Sequence, residues 1–497
     1  MQFGFPHVLL AVEMLPGKIG PSEIILIVYF FVDILMYYDI RIHLMQGESL
    51  TLKKLDIGPI PIIDVFMERL RLREILQEAI TPARYVDVIL ILIKSILVQP
   101  AALYRIKEWT LSFDPILFYG RSPGDDMLAR ALDKTFEADR ASLLTKIVVG
   151  GIKKFEIATD QMHNDTTSIK CYGAYRNQNP RAVQLKRGHS KDHRSDLKQL
   201  IYCLTVSADE AIPLHFKSYD GNQTDDGTHW DTWQTLCGIL GKSFFIYVGD
   251  AKLCVTETLL KIDRAQGKIV SMVPRTRAEV HAFEEEAFNS LVRWEKLTAK
   301  RSTRKRKRVD VFETTTQLYQ LKEGFRLYWY RSSEKKIRDE QDREDRLSLA
   351  MSKLQSLNER KRRGPKSEKS IKKAAHKILA KYKVGNWINI ETLVDEVEEF
   401  KQVTRGKATT DTKYRRIVKK IPKVILNLNQ EGINRSIAMD GIFPLTSNTG
   451  KTPLEVLNIY KYQPRIEKRH NLLKSILEIA SLYLKKNTRI DALVFVY

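Results

Sequence analysis

Cysteine is scarce in this chain of 497 residues: there are 4, and Cys171, Cys203, Cys237 and Cys254 are too far apart to form a Cys-x-x-Cys pair. That excludes a zinc ribbon and argues against a disulfide framework. Reduced thiols used for packing are the expectation. Long apolar runs are scarce too. The stretch 24–32, IILIVYFFV, stops at Asp33, well short of the roughly 20 residues a spanning helix needs. Lys18 is its only flanking cation and no small-residue cleavage site follows, so no secretory signal is expected. The stretch reads as a buried strand or helix, or as the result of a start placed upstream of Met36 or Met45. Acid is the charge in short supply: 60 Asp and Glu stand against 82 Lys and Arg, a formal net charge of +22. An excess of this size attracts a polyanion without specifying its sequence. An RNA-binding or ribosome-associated protein would satisfy it as readily as an enzyme acting on DNA. No membrane and no small-molecule partner is expected, and the place in the cell reads as cytoplasmic, in association with the nucleoid.

The length implies about three domains, and a hydrophobic share of 43% allows a sizeable core. Residues 1–50 form an N-terminal extension. Residues 51–146 carry helical spacing: 60–80 places apolar residues at three- and four-residue steps, Pro82 breaks it, and 85–98 and 126–144 follow as further helices. Across 147–274 the period changes to short β-branched and aromatic runs, FEIAT, LIYCLTV, IPLHFKS, FFIYVGD and KIVSMVP, with helices at 229–240 and 255–264. This pattern predicts a mixed α/β sheet. Residues 275–432 are highly charged and read as mostly helical, with a basic run at 301–308, a long helix near 335–363 and another at 372–383. Each charged stretch alone is a solvated face; together they read as an insertion that tracks a DNA backbone. In 433–497 the α/β character returns: strand-like runs at 435–448, a short helix at 454–460, and a helix from Pro464 to about 484. The fold class is therefore α/β, a sheet split by a charged helical insertion and preceded by a small all-helical domain.

Cutting a phosphodiester needs an activated water and neutralisation of charge at phosphorus, which two divalent ions held by carboxylates supply. Acids at the ends of apolar strands are the candidates. Asp250 ends FFIYVGD; the alternative is a cap on the next helix. Asp165 follows FEIAT in HNDTTSIKCYG, where an Asx-type turn is the alternative, and Asp160 competes with it. Tyr460, Gln463, Glu467 and Lys474 fall on one face if 460–474 is helical throughout. Surface helices produce that spacing often.

The last group resembles the Tyr-x2-Arg-x3-Glu-x6-Lys signature of DDE transposases in the IS-four superfamily, with Gln463 in the arginine position and Arg465 two residues on. DTTS (165–168), GHSKDHRSDLKQ (188–199), YDGNQTD (219–225), GDAKLC (249–254), MVPRTRAEV (272–280), KLDIGPIPIIDVFMERLRL (54–72) and ALYRIKEW (102–109) resemble one insertion-sequence subgroup of it. The resemblance spans residues 50–497. It implies an RNase H-like fold and a catalytic, metal-holding triad of Asp165, Asp250 and Glu467, with magnesium or manganese as cofactor. It implies nicking at transposon ends and joining to target DNA by a homodimer in a synaptic complex. Tyr460, Gln463, Arg465 and Lys474, with Lys191, His193 and Arg194 of the SKDHR stretch, become the DNA-contacting set. The same residues admit a surface hairpin at SKDHR. A glutamine cannot make arginine's bidentate phosphate grip. The apolar end, DALVFVY, reads as the start of a core helix that relatives continue, so an exposed apolar patch is expected there. The other readings are a decayed transposase that binds without cutting and a non-transposing RNase H-like nuclease.

Overall fold

The computed structural model describes residues 23–30, 36–43, 51–190, 194–224, 227–301, 309–359, 367–403, 405–408, 410–477, 479, 481–482 and 484–497. Lys191, His193 and the basic run at 301–308 apart from Arg301 lie outside them. The chain folds into two compact units, Met1–Val270 with Asn458–Tyr497, and Ser271–Leu457.

The first unit begins with an antiparallel ribbon, β1 (Glu23–Phe30), β2 (Met36–His43) and β3 (Thr51–Asp56). A helical head follows: α1 (Ile60–Arg69), α2 (Leu72–Gln77), α3 (Ala83–Val98), α4 (Ile106–Thr110), α5 (Asp125–Glu137) and α6 (Arg140–Phe155). Helix α3 is apolar almost all round, and such a helix must be buried. Its two charged interior groups are paired: Asp87 accepts from Arg73 and Arg121 at 2.7 and 2.8 Å, and Lys94 lies 2.7 Å from Asp64. The helix expected over 126–144 is two helices. Asp139 caps the second by accepting from the Ser142 amide at 3.1 Å. Helix α6 then runs through Phe155, so FEIAT is no strand, and the boundary expected at 146 falls inside a helix.

The sheet of this unit has the order β6-β5-β4-β7-β8, from β4 (Gln161–Cys171), β5 (Lys198–Ser207), β6 (Pro213–Tyr219), β7 (Ile246–Gly249) and β8 (Lys268–Met272). β4 pairs antiparallel with β5 and parallel with β7, so the sheet is mixed. Helix α7 (His229–Leu240) precedes β7 and α8 (Thr256–Arg264) follows it. The four cysteines are free, and burial pushes the Cys171 thiol up to about 12.

The second unit corrects the expectation of a helical insertion. It holds α9 (Ala278–Phe288), β9 (Trp294–Arg301), β10 (Val309–Thr315), β11 (Tyr319–Gln320), β12 (Arg326–Ser332), α10 (Ser333–Gln355), α11 (Glu368–Tyr382), β13 (Ile388–Gln402), β14 (Tyr414–Leu428), α12 (Gln430–Ala438) and β15 (Ile442–Ser447). Strands β15, β12, β10 and β9 lie in that order, antiparallel. β13 and β14 form a separate two-stranded ribbon. Lys and Glu favour helices in isolation. Here cross-strand pairing of their charges overrides that preference. Phe283 stacks on Trp329 at 3.6 Å, and Arg343 grips Asp440 with two bonds of 2.6 and 2.8 Å in a buried setting.

Helix α13 (Pro453–Tyr460) brings the chain back to the first unit, where α14 (Pro464–Asn471), a π-helical turn at Leu472–Ile476, β16 (Ser481–Leu482) and α15 (Asn487–Val496) complete it. The helix expected to reach 484 thus ends near Leu477. The apolar end is not an exposed patch: Ile490, Ala492, Leu493 and Val494 of α15 are buried in the same core cluster as α3 and α5. Arg489 holds Asp133 with two bonds of 2.8 and 2.7 Å. Among the described residues no single helix is long and apolar enough to cross a membrane.

Truncating a buried leucine leaves a cavity in the helical head. Leu493→Ala should lower unfolding stability by about 2–5 kcal/mol in a urea titration; an unchanged midpoint would mean that α15 does not belong to this core.

Candidate active site

Strand β7 is short and apolar, and its end delivers Asp250. The parallel register sets Gln161, Met162 and His163 of β4 against Ile246, Tyr247 and Val248. Carried two residues further, that register brings Asp165 level with Asp250. Asp165 therefore lies within β4 rather than in a turn, beside the point where β7 stops. Its Oδ1 accepts from the Thr166 amide at 2.8 Å. Asp160 lies apart, 91% exposed at the entrance of β4 and 3.6 Å from Lys242.

Glu467 stands in the first turn of α14, exposed, on a helix that packs on β4 and β5 through buried Ile466. The charge of all three acids reaches Tyr460. Its hydroxyl is pushed well above the usual phenol range, first by burial and then by the negative charges of Asp250, Asp165 and Glu467. Three carboxylates thus act on one half-buried tyrosine, which stays protonated at neutral pH. As placed, no three His, Cys, Asp or Glu side chains among the described residues form a ready-made cage for one ion.

Two histidines back the aspartates. His470 Nε2 lies 3.6 Å from Asp165 Oδ2 and the ring meets Tyr202 edge-on. His229 Nε2 lies 3.9 Å from Asp250 Oδ1, and its Nδ1 bonds the Tyr247 hydroxyl at 3.1 Å. Sequence reasoning missed both. His470 follows Glu467 by one helical turn, and that spacing was the available signal.

The signature group does not share one helical face, because a turn at 461–463 separates α13 from α14. Gln463, expected at DNA, is buried and engaged at both ends of its amide: Nε2 donates to the Asn164 carbonyl at 2.9 Å, and Oε1 accepts from His163 Nδ1 at 2.8 Å. His163 Nε2 then accepts from Gln161 at 2.7 Å, which fixes the neutral tautomer. Tyr462 packs on the His163 ring at 4.9 Å, and Arg465 lies over Tyr462 at 4.3 Å. Gln463 is a latch between the helix of Glu467 and the strand of Asp165. Arg465 is committed to Tyr462 and stands 4.0 Å from Glu210. Arg194 is held by Asp196 through two bonds of 2.8 Å, which drop the Asp196 carboxyl to about 2. Both arginines keep about half of their side chains exposed. Lys474 is half-buried on the π-helical turn.

Gln463→Leu should leave His163 and the Asn164 carbonyl buried without this partner, at a cost of about 1–3 kcal/mol in a denaturant titration; a neutral result would remove the latch. A pH dependence follows as well. Burial lowers His163, despite its bond to Gln463, and His215, which Lys217 lowers further, to about 4 from 6.5. Both are neutral in the fold while the unfolded chain binds protons. Their contribution is complete above pH 6.5 and is lost as pH falls towards 4. Urea midpoints measured from pH 7 to 4 should fall, and His215→Asn should flatten the fall; a mutant with an unaltered profile would contradict the assignment.

No protein-family profile matches this chain, and no curated protein does. One similar solved structure is a piggyBac transposase synaptic complex with hairpin DNA, at 11% identity and a TM-score of 0.26, covering 50% of this chain. The match spans 51% of that protein's chain.

Proposed function

We propose that this chain is a DNA transposase that cuts at the ends of an insertion sequence and joins them to target DNA. Its first-unit sheet is read as RNase H-like. The observation that supports the reading is the parallel register of β4 with β7, which, carried two residues on, sets Asp165 level with Asp250 just past β7, with their charge and that of Glu467 acting on Tyr460. Oxygen-only donors with net negative charge suit magnesium or manganese. Asp165, Asp250 and Glu467 would hold the ions. When bound, such ions polarise the phosphate and lower the pKa of a coordinated water.

The chain's own groups have distinct tasks. The protonated Tyr460 hydroxyl donates a hydrogen bond to a phosphate oxygen. Lys474 supplies positive charge from the π-helical turn that follows α14. Gln463 holds α14 against β4, so the separation of Glu467 from Asp165 is set by the fold. A synaptic homodimer on paired ends would complete the assembly.

The experiment is nicking of plasmid DNA that carries the reading frame with its flanking sequence, in magnesium or manganese. The wild type should nick. Asp165→Asn, Asp250→Asn and Glu467→Gln should each abolish nicking with DNA binding retained, and Asp160→Asn should be close to wild type. Undiminished nicking by Asp165→Asn, or by Glu467→Gln, sinks the triad.

A further inference from the structure

The ribbon β13–β14 in the second unit separates its charges along its length. Near its base Ile388, Ile390, Val424 and Leu426 belong to a core cluster with α10 and α11. Beyond that, two strands continue without a third, a form that is marginal in water on its own. Ion pairs brace this stem: Asp395 with Lys423, Glu396 with Lys420, Glu398 with Arg416, and Glu399 with Lys419. Strand alternation and the observed register place two of these pairs on each face. The stem is therefore close to self-neutral.

The tip differs. Lys401, Arg405, Lys407, Lys413 and Arg415 are all exposed, and among the described residues none of them forms an ion pair with an acid. Asp411 is the only acid within 401–415. Lys401 faces Arg415 across the ladder, and Lys413 falls on the same face. The opposite face carries Phe400 and Tyr414, 63% and 53% exposed. A ribbon fifteen residues long on each strand extends about 50 Å at roughly 3.3 Å per residue.

We propose that the tip of this ribbon is a nucleic-acid contact, an arm whose cations grip the phosphates of a DNA duplex. The inference rests on the reading of the chain as a DNA-cutting enzyme. A two-stranded ribbon fits the major groove, and cations on both strands reach the phosphate walls on either side. Charge segregation supports the assignment: stem charges are spent on each other, whereas the five tip cations have a single acid, Asp411, in their stretch of chain. An anionic membrane is disfavoured, because residues 405–408 and 410–411, which would enter it first, include no large apolar side chain.

The test uses the full chain and fluorescence anisotropy on a duplex of random sequence, across salt concentrations. One variant replaces Lys401, Arg405, Lys407, Lys413 and Arg415 by Gln. A second removes residues 401–415 and joins the strands by Asn-Gly, a turn suited to a tight hairpin. A matched control replaces five exposed lysines of α11, Lys369, Lys372, Lys373, Lys377 and Lys381, by Gln. Both tip variants should weaken duplex binding by about 10- to 100-fold near physiological salt and flatten the log–log salt slope by about 0.9 for each phosphate that is no longer neutralised. The control should change binding by no more than a few-fold. Equal losses in tip variants and control would reduce the arm to undirected charge and overturn the proposal. So would tip variants that bind duplex normally, or that lose only binding to phosphatidylserine vesicles. Failure of the transposase reading is read separately: a wild type that never nicks, yet loses duplex binding with its tip charges, removes that reading and leaves the arm.

Discussion

Three rungs of parallel pairing between β4 and β7 govern the candidate site. Carried two residues past its last rung, that register sets Asp165 of β4 level with Asp250, the residue after β7. The hydrogen bonds of the ladder fix the strands, and buried Tyr247 and Val248 anchor β7 from the core side. Glu467 arrives on a separate helix, which the Gln463 amide fastens to the backbone one residue before Asp165. If the strand pairing slipped by one residue, Asp165 would turn to the other face and the convergence on Tyr460 would be lost.

The buried histidines belong to the same arrangement. His163 is neutral and bonded at both nitrogens, so it serves as a rigid spacer between β4 and α14. His229 and His470 stand behind the aspartates at 3.9 and 3.6 Å. The glutamine that departs from the transposase signature thus has a structural task in this chain. An arginine there would bring a full charge into a pocket that offers a carbonyl and a neutral imidazole, and burying an unpaired charge is costly.

Much of this was legible in the residues. FFIYVGD is a strand ending in an acid, and the helices at 229–240 and 255–264 fall close to where spacing put them. Asp165 was harder to place, because FEIAT has strand composition but only its first residue is structured, as the end of α6, and the rest is a connection into β4. The charged insertion misled for a related reason. The acids of β13 and the bases of β14 satisfy each other across strands, a relation no single-strand window contains. The role of Gln463 was hidden because its partners, His163 and Asn164, are about 300 positions away in sequence. Such contacts follow from topology, and local pattern carries no trace of them.

The most direct test of the central claim is anomalous diffraction from crystals of the protein soaked in manganese. The account predicts manganese peaks at Asp165, with Asp250 and Glu467 as the other carboxylate ligands, and loss of those peaks in Asp165→Asn. Manganese bound elsewhere on the chain, with no peak at these three carboxylates, would contradict it.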